Sequence, residues 1–522
     1  MAPDSSSTGG LETSLLAESI AVCGGESNDG SNRGNADGSS SEIPQGCRFS
    51  PDGTCLLTAR GSRLEIYNTP YEGEVCTEGD GDKNDDGNEK RPRWTPAITC
   101  HSGESVRSYA WYPHMKSSDP ATCCFLGASR DSPVHLYDAY DGSIRATYRP
   151  YNGLDEMESP TTLCFAESGR KIVTGGLRTD RVLHVFDVNR PGREHSQPLI
   201  RLGKTRRSRD GQKGLGSAMA YSDATGVLAL GTYSPGSIYL YDLRTYTKSA
   251  VAEIVVSPSA TSGGTVCVSG HGKKGTTRNK NKRKRFAAPA SEGVEEALPS
   301  IDFSAAKLRW YQSRTRGGVT QVEFGDGGTS LFSASRRSGA VLQWDLRKLS
   351  SSNACPGIAS FATDNDTNQR IEFAVYGDRV WTGGRDGCVR VYSHRGSNGN
   401  SSSSSNSSNN SSNNNVSLLA TIGGFKDCVN GISLCPDVDG HVDGSTGTNT
   451  MLQNLLSTGD SDDDEPKSNE TGGLGKALLA VAIGSRHFPS ETDWENEDPH
   501  ASLTERINHF VGSTQIYSVV AP

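Results

Sequence analysis

The feature that most constrains the fold is a short recurring motif, in which apolar residues at strand spacing precede an aromatic residue and an aspartate or another small polar residue. Val134–Asp138 is a clear copy. It follows Ser129–Pro133, which predicts a turn because Pro fixes φ and because Asp and Ser bond to nearby backbone groups. Six other copies, some of them looser, contain the aromatic residues Tyr67, Phe186, Tyr241, Trp344, Tyr392 and Tyr517.

The spacing of these copies identifies the architecture. Several successive motifs lie about fifty residues apart, and a repeat of about 40–45 residues with four strands is the mark of a WD-repeat blade. Seven copies predict an all-β fold, a seven-bladed WD-repeat β-propeller. The alternative, an unrelated antiparallel β protein in which aromatic–Asp pairs arise by chance, does not account for seven copies at this period.

Individual strands can also be placed. The inner strands of the fifth and seventh blades are predicted at Val319–Phe324 and Val429–Leu434, since both runs are rich in apolar and β-branched residues. Ser417–Ile422 is predicted as the outer strand of the sixth blade. Ala477–Ile483 and Thr514–Val520 are predicted to complete the seventh blade.

Seven blades account for only about 300 residues of the 522, so the rest must form tails and insertions. The 60 glycines and the low apolar content of 33% agree with this. We expect a mostly disordered, low-complexity N-terminal tail at 1–44 that contains a candidate ring-closing strand at 11–23. The remaining predicted segments are blades one to four at 45–256 with an acidic insertion at 79–90, a disordered basic insertion at 257–300, and blades five to seven at 301–522 with a Ser/Asn insertion at 397–415 and an acidic insertion at 437–474.

The cysteines and the apolar runs bear on the compartment. The thirteen cysteines include no Cys-x-x-Cys, and the N-terminus has Asp4 and a serine run where a signal peptide needs basic and then apolar residues. We therefore expect reduced thiols in the cytosol or nucleus. The longest apolar run, Ala477–Ile483, is too short to span a bilayer, so no membrane association is expected.

No catalytic constellation emerges from the sequence. The eleven histidines show no metal-ligand spacing. Gly270–Gly275 matches Gly-x-Gly-x-x-Gly formally, but it does not open an apolar helix, which argues against a phosphate cradle. We expect a binding scaffold without a cofactor or metal, and not an enzyme.

A basic block within the 257–300 insertion indicates nuclear import or a nonspecific nucleic-acid tether. A solvated polar loop is the alternative. The block has eight basic residues in thirteen positions: Lys273, Lys274, Arg278, Lys280, Lys282, Arg283, Lys284 and Arg285.

Arginines also recur in one structural position. In a propeller, the turn between the second and third strands of each blade lies on the same face as the links between blades. Six blades carry arginines there, and the fourth carries Tyr233. The arginines are Arg60 and Arg63, Arg130, Arg178 and Arg181, Arg336 and Arg337, Arg385, and Arg486.

Because Arg offers a planar donor fork for phosphate, and because Arg and Tyr both stack on bases, we hypothesise that this face binds RNA. The alternative is that each arginine pairs with an acidic neighbour, such as Asp131, Asp180 or Asp386.

Several segments of the chain carry distinctive motifs, and their Tyr-Asn-x-Leu-Asp-Glu and Thr-Asn-Gln-Arg links are not general WD-repeat features. The segments are Ala110–Pro113, Ala128–His135, Tyr151–Glu156, Arg190–Arg193, Gln343–Arg347, Thr367–Ile371 and Lys426–Gly431. They resemble the telomerase Cajal body protein family of WD-repeat proteins, and the resemblance covers most of residues 46–440. Arg370 and Lys426, which lie in two of these segments, join the RNA-binding candidates.

This resemblance implies a protein of the nucleus and the Cajal body that binds a short box in the terminal loops of small Cajal-body RNAs and of telomerase RNA. It implies partners within box H/ACA ribonucleoproteins, such as dyskerin-type proteins and telomerase, and a role in RNA localisation, ribonucleoprotein assembly and telomere maintenance. Neither composition nor motif spacing indicates telomerase. The insertions and the C-terminal third depart from the family pattern.

A second function class stays open at this point. Tyr241–Arg244 and Trp344–Arg347 resemble the aromatic-Asp-x-Arg element of cullin ubiquitin ligase substrate receptors. The same element is ordinary blade chemistry, so a general protein-interaction scaffold is also compatible with it.

Overall fold

A computed structural model describes residues 12–20, 43–70, 95–177, 182–193, 200–201, 214–233, 236–244, 250, 252–255, 317–347, 357–394, 416–425, 427–436, 476–484 and 513–520. Within these ranges the chain is all-β apart from a short 3₁₀ turn at Asp326–Gly328. The strands form seven four-stranded antiparallel sheets. The predicted WD-repeat propeller fold is confirmed.

Six of the blades are each formed by four strands that follow one another in sequence, with the first strand innermost. The first three blades are β2 Pro44–Phe49, β3 Cys55–Arg60, β4 Arg63–Asn68 and β5 Ile98–His101; β6 Val106–Trp111, β7 Cys124–Ser129, β8 Val134–Asp138 and β9 Ile144–Tyr148; and β10 Thr162–Ala166, β11 Lys171–Gly175, β12 Val182–Asp187 and β13 Ile200–Arg201. The next three are β14 Gly216–Ser222, β15 Val227–Thr232, β16 Ser237–Asp242 and β17 Ala252–Val255; β18 Val319–Phe324, β19 Ser330–Ser335, β20 Ala340–Asp345 and β21 Gly357–Ala362; and β22 Phe373–Tyr376, β23 Arg379–Thr382, β24 Val389–His394 and β25 Val416–Ile422.

The seventh blade joins the two ends of the chain. It contains β26 Val429–Leu434, β27 Lys476–Ile483 and β28 Ser513–Val520, and its outer strand is β1, Glu12–Ile20. β1 pairs antiparallel with β28 from Glu12 opposite Val520 to Ile20 opposite Ser513. The N-terminal strand, which lies within the candidate closing segment 11–23, thus protects the edge of β28.

The core lies between neighbouring blades rather than within one of them. One cluster packs Ala218 and Leu240 of the fourth blade against Val322 and Trp344 of the fifth, and similar clusters join other neighbours. The middle strands are therefore buried on both faces. β15 and β16 are buried throughout, whereas the outer strand β25 is largely exposed.

The recurring motif supplies the large side chains of this core. Its aromatic residues Tyr67, Tyr137, Phe186, Tyr241, Trp344 and Tyr392 are all buried. Trp344 also donates its indole N–H to Ser333 Oγ at 2.8 Å, which satisfies a polar group inside the core. The aromatic position repeats because each junction between blades needs a bulky side chain at that depth.

The described cysteines are free thiols and are buried or half-buried. Burial raises the pKa of Cys124 to about 11, so this thiol stays protonated near neutral pH. No group of three or more His, Cys, Asp or Glu side chains in the described ranges could hold a metal ion. In the same part of the chain, no helix has the length and apolar character that a membrane crossing requires.

Candidate nucleic-acid interface

A cavity of about 920 Å³ opens at the centre of the ring. Its lining consists of residues at the starts of the seven innermost strands and of residues in the links that precede these strands. The contributions from the seven blades, in order, are Gly46, Val106 with Tyr109, Thr161, Ser217, Thr320, Glu372 and Asn430. Because each blade supplies only one or two of these residues, the cavity exists only when the ring is closed.

β-Bulges occur at the mouth of this cavity. In β6, β14, β18 and β26 the register skips one residue near the start of the strand, and these residues are Arg107, Ser217, Thr320 and Asn430. The register of β2 shifts at Gln45–Gly46 in the same way. All of these residues line the cavity. A bulge leaves one residue out of the ladder and redirects its side chain, so five inner strands present an extra residue to the cavity.

Some of the bulge residues connect neighbouring blades. The Ser217 hydroxyl donates to the Val319 carbonyl oxygen of the next blade at 2.5 Å. Asn430 Nδ2 donates to the carbonyl oxygens of Pro44 at 2.9 Å and Gly484 at 3.0 Å. The first contact joins the fourth and fifth blades, and the bond to Pro44 joins the last blade to the first beside the cavity.

The turns between second and third strands lie on the face where this cavity opens. Their backbone N–H groups donate to the links between blades: Arg130 to the Ser105 carbonyl at 3.0 Å, and Arg336 to the Gly318 carbonyl at 2.9 Å. Arg385 donates to the Asp364 carbonyl at 2.8 Å. The geometric premise of the arginine hypothesis, that these turns and the links share one face, is confirmed for these blades.

Arg336 and Tyr233 form one unit beside the cavity. The guanidinium carbon of Arg336 lies 4.4 Å from the centre of the Tyr233 ring, and Arg336 Nη1 also donates to the Tyr233 hydroxyl. Tyr233 is 45% exposed although it is a large aromatic residue. The arginine from the fifth blade and the ring from the fourth therefore present a flat, cationic surface to solvent.

Three further arginines of this face are exposed. Arg130 pairs with Asp131 at 3.3 Å and Arg385 with Asp364 at 3.6 Å, but the two arginine side chains remain 60% and 55% exposed. Such surface pairs contribute only about 0–1 kcal/mol, so they leave both guanidinium groups available to an anion. Arg337 is exposed and shows no acidic partner among the described residues. We call Arg130, Tyr233, Arg336, Arg337 and Arg385 the rim.

Two of the predicted arginines are held in the fold instead. Arg60 belongs to β3, is 1% exposed and pairs with Glu65 at 3.0 Å. Arg63 reaches the other carboxylate oxygen of Glu65 at 3.6 Å and is partly exposed. The alternative stated above, an ion pair with an acidic neighbour, therefore describes Arg60 and Arg63, and it also describes Arg130 with Asp131. Because Glu65 holds Arg60 and Arg63 in the fold, we leave these two out of the rim.

Arg370 lies at the cavity itself. It forms an ion pair with the buried carboxylate of Glu372 at 3.0 Å. Asp386, expected above as a partner of a rim arginine, instead pairs with Arg390.

The remaining sequence candidates lie outside the described residues. This set includes Arg178, Arg181, Lys426 and Arg486, as well as the complete basic block Lys273–Arg285. Asp180, the proposed partner in the third blade, lies outside them too.

Two further arginines in or beside the cavity could not be identified from the sequence. Arg107 is exposed at the bulge of β6, lines the cavity and donates to Ser159 Oγ at 3.4 Å. Arg48 of β2 lines a smaller neighbouring pocket, with its guanidinium carbon 5.6 Å from the centre of the Tyr109 ring and Nη2 4.0 Å from Glu372 Oε1. Neither belongs to a turn between second and third strands, so the positional argument could not find them.

The titration of Glu323 reflects its burial and its charged neighbours Arg48 and Glu372 inside the ring. Burial raises the pKa of this carboxyl to about 7, nearby Glu372 raises it further, and Arg48 opposes both effects. Glu323 therefore carries only part of a negative charge at neutral pH. This reduces the acidic contribution to the inside of the ring.

The aromatic-Asp-x-Arg elements form local ion pairs. Arg244 donates from its backbone N and its Nε to Asp242 Oδ1 at 2.9 and 3.1 Å, and Arg347 contacts Asp345 in the same way. Each aspartate carboxylate therefore accepts hydrogen bonds from the arginine of its own blade, which is the ordinary blade chemistry named above. Nothing in this geometry favours the ligase-receptor alternative.

Comparison with known proteins gives relatives with telomerase-related names. The chain is 28% identical over 400 residues to Telomerase Cajal body protein 1 of Mesocricetus auratus, covering 76% of this chain and 56% of the relative. It is 27% identical over 451 residues to Telomerase Cajal body protein 1 of Homo sapiens, covering 86% and 62%. The Telomerase Cajal body protein 1 homolog of Drosophila melanogaster is 26% identical over 358 residues, covering 67% and 50%.

These matches confirm the family resemblance that the sequence motifs predict. The matched part spans between about half and three fifths of the length of these relatives. No protein-family model matches the chain.

Proposed function

We propose that this chain, a WD-repeat relative of the telomerase Cajal body proteins, binds the single-stranded terminal loops of box H/ACA small RNAs and of telomerase RNA through its rim. The observation that carries the proposal is the rim itself, where exposed guanidinium groups and an exposed tyrosine surround the mouth of one cavity. The names of the relatives support the telomerase and Cajal body context.

The chemistry of the rim suits a loop better than a duplex. Arginine forks neutralise phosphates, and loop bases that are not stacked in a helix can lie against aromatic or guanidinium planes. The Arg336–Tyr233 unit offers such a plane. A ring of cations around a concavity also matches a backbone that turns back on itself, as the backbone of a terminal loop does.

Backbone conformation at one rim residue supports the same assignment. Arg337 has φ of +52°, in the left-handed region that residues other than Gly, Asn and Asp seldom adopt. Residues held there tend to cluster at binding sites, where the surrounding structure maintains them.

We further propose a scaffold role without catalysis. In this role the propeller holds an RNA loop and brings it to dyskerin-type proteins and telomerase in the nucleus and the Cajal body. The basic block Lys273–Arg285 would direct nuclear import, and the predicted insertions would extend from the loops between strands. This role agrees with the relatives' names and with a rim whose side chains suit binding.

Charge reversal tests the RNA-binding proposal. Arg130→Glu and Arg385→Glu should each weaken binding of hairpin RNAs and reduce the dependence of log K on log salt concentration. Each lost phosphate contact on a single strand lowers that slope by about 0.7. A suitable assay is fluorescence anisotropy across a salt series with hairpins that carry a randomised loop.

Lys116→Glu is the matched control. Lys116 is exposed and follows β6, at the end of the inner strand opposite the rim. It carries the same charge change to the other face of the ring. RNA binding that is unchanged in both arginine variants, or that falls equally in the control, contradicts the proposal.

A further inference from the structure

We infer that the central cavity is a pocket for one extruded nucleobase of the bound RNA loop, with the flanking phosphates held by the rim. The inference rests on the proposed function and adds the class of ligand that the cavity accepts. Three observations support it: polar atoms that lack partners in the described residues, the bulges, and the balance of charge.

The first observation concerns polar atoms of the cavity wall. Tyr109 OH, Thr320 Oγ1 and Asn430 Oδ1 find no hydrogen-bond partner among the described residues, although the three residues are 7%, 5% and 2% exposed. A buried polar atom without a partner destabilises a fold and is rare in native proteins. Three such atoms lie on residues that line one cavity, where a bound ligand would supply their partners.

The nature of these atoms restricts the ligand. Asn430 already uses its amide nitrogen for Pro44 and Gly484, so only an acceptor oxygen is left for a ligand. The hydroxyls of Tyr109 and Thr320 can donate or accept. A nucleobase edge carries donors and acceptors side by side, whereas a phosphate group carries only acceptors and cannot satisfy the amide oxygen.

The second observation is the position of the bulges. Thr320 and Asn430 are themselves the unpaired residues of their strands. Their side chains therefore face the cavity because each strand departs from regular pairing at that point. Bulges occur often next to binding sites, where they redirect a side chain.

The third observation is the charge of the lining. Four arginines line the cavity (Arg107, Arg336, Arg337 and Arg370), against two carboxylates, Asp366 and Glu372. Arg370 already pairs with Glu372. This excess of cations repels a lysine or arginine side chain of a protein partner and attracts a nucleotide.

The cavity is large enough for this ligand. A volume of about 920 Å³ lies in the range of small-molecule pockets and exceeds the volume of a single nucleobase, so the base can enter together with its sugar. Tyr233 at the mouth can stack on the neighbouring base of the same strand.

Abasic scanning of the loop tests the inference. Hairpins with a randomised loop are first selected on the full-length protein, and each loop nucleotide of the best binder is then replaced by an abasic nucleotide. We expect one position to stand out with a loss of about 10- to 100-fold, because a base with its stacking and edge contacts contributes that much.

Two variants identify the pocket by removing a single hydroxyl each. Tyr109→Phe and Thr320→Val are isosteric and remove atoms that have no protein partner in the described part of the chain. We expect each to weaken binding of the intact hairpin about three- to tenfold without lowering the thermal midpoint. In the double variant, abasic replacement of the sensitive nucleotide should reduce the affinity for the hairpin markedly less than it does with the wild-type protein.

Thr174→Val is the matched control. Thr174 Oγ1 is likewise buried without a partner in the described residues, but it lies in β11, away from the cavity lining. This variant should leave RNA binding unchanged.

The outcomes distinguish the two claims. If the rim variants weaken binding but the abasic scan is flat, or if the hydroxyl variants bind like the wild type, then the pocket is refuted and rim binding stands. If hairpin RNA does not depend on the rim at all, the proposed function fails together with the pocket.

Discussion

The ion pair between Arg60 and Glu65 allows a sharp test of what separates a structural arginine from an RNA-binding one. Arg60 is fully buried, with Nε 3.0 Å from Glu65 Oε2, and the same oxygen accepts a hydrogen bond from Tyr67 OH at 2.7 Å. Arg60→Met keeps most of the side-chain volume but leaves the Glu65 carboxylate buried without its cation. Breaking a buried pair in this way costs about 3–5 kcal/mol.

The lower end of that range applies here. Arg63 Nε lies 3.6 Å from the other oxygen of Glu65 and stays in place to offset part of the charge. We therefore expect a loss of about 3 kcal/mol in the free energy of unfolding. Domains of about 150–250 residues lose about 2–4 °C of thermal midpoint per kcal/mol, and larger ones lose less. Because this propeller is larger, the midpoint should fall by about 6 °C or somewhat less.

The assay is thermal unfolding, followed by circular dichroism, in parallel with hairpin RNA binding. Arg63→Met should lower the midpoint much less, since its side chain is partly exposed and the Arg60–Glu65 pair is kept. Adding Glu65→Leu to Arg60→Met should restore most of the stability, because no buried charge is then left alone. If Arg60→Met keeps the wild-type midpoint but loses RNA affinity, the burial argument is wrong and Arg60 belongs to the rim.

Three further predictions concern the core and the ring closure. Glu323 has a pKa of about 7 in the fold against 4.5 ordinarily; the folded state therefore binds the proton more tightly, and stability should fall as pH rises from about 4.5 to 7, by up to about 3 kcal/mol. Glu323→Gln should remove this dependence of the free energy of unfolding on pH, measured by denaturant titrations at several pH values. If the wild type and the variant show the same dependence, the prediction is wrong. Trp344→Phe should lower the free energy of unfolding by about 2–4 kcal/mol, because it leaves the Ser333 hydroxyl without the indole N–H as a donor and opens a small cavity. A thermal midpoint within about a degree of the wild type would show that the core adapts. Deleting residues 1–23 removes β1, exposes the edge of β28 and should promote self-association visible by light scattering, and a monodisperse variant of unchanged stability would show that closure does not need this strand.

Sequence reasoning located many strands closely. The predicted inner strands Val319–Phe324 and Val429–Leu434 coincide with β18 and β26, and the predicted outer strand Ser417–Ile422 begins one residue after β25 does. These predictions succeed because strand periodicity and turn residues are local signals. The buried aromatic residue of each motif adds a mark at nearly constant spacing, so the blade count follows from the sequence as well.

The shape of the site was harder to predict, because it depends on non-local geometry. Arg60 stands at the predicted turn, where it pairs with Arg63 across the hairpin, but its burial against Glu65 could not be predicted because it depends on packing around the strand end. The bulges at Arg107, Thr320 and Asn430 have no sequence signature of their own, since an extra residue in a ladder becomes visible only when the partner strand is known. The arginines of the turns could be predicted, but the cavity wall could not.

The same geometry links the stability of the ring to its ligand. The cavity wall draws on all seven blades, and Asn430 donates across the junction between the last blade and the first, beside the sheet that β1 completes. Tyr109, Thr320 and Asn430 line this cavity with side-chain oxygens that have no partner in the described part of the chain. A ligand that satisfies them binds only the closed ring, and so it must stabilise that state by mass action. An RNA that occupies the cavity should therefore strengthen the junction between the first and last blades, whereas an RNA that touches only the rim would lack this effect.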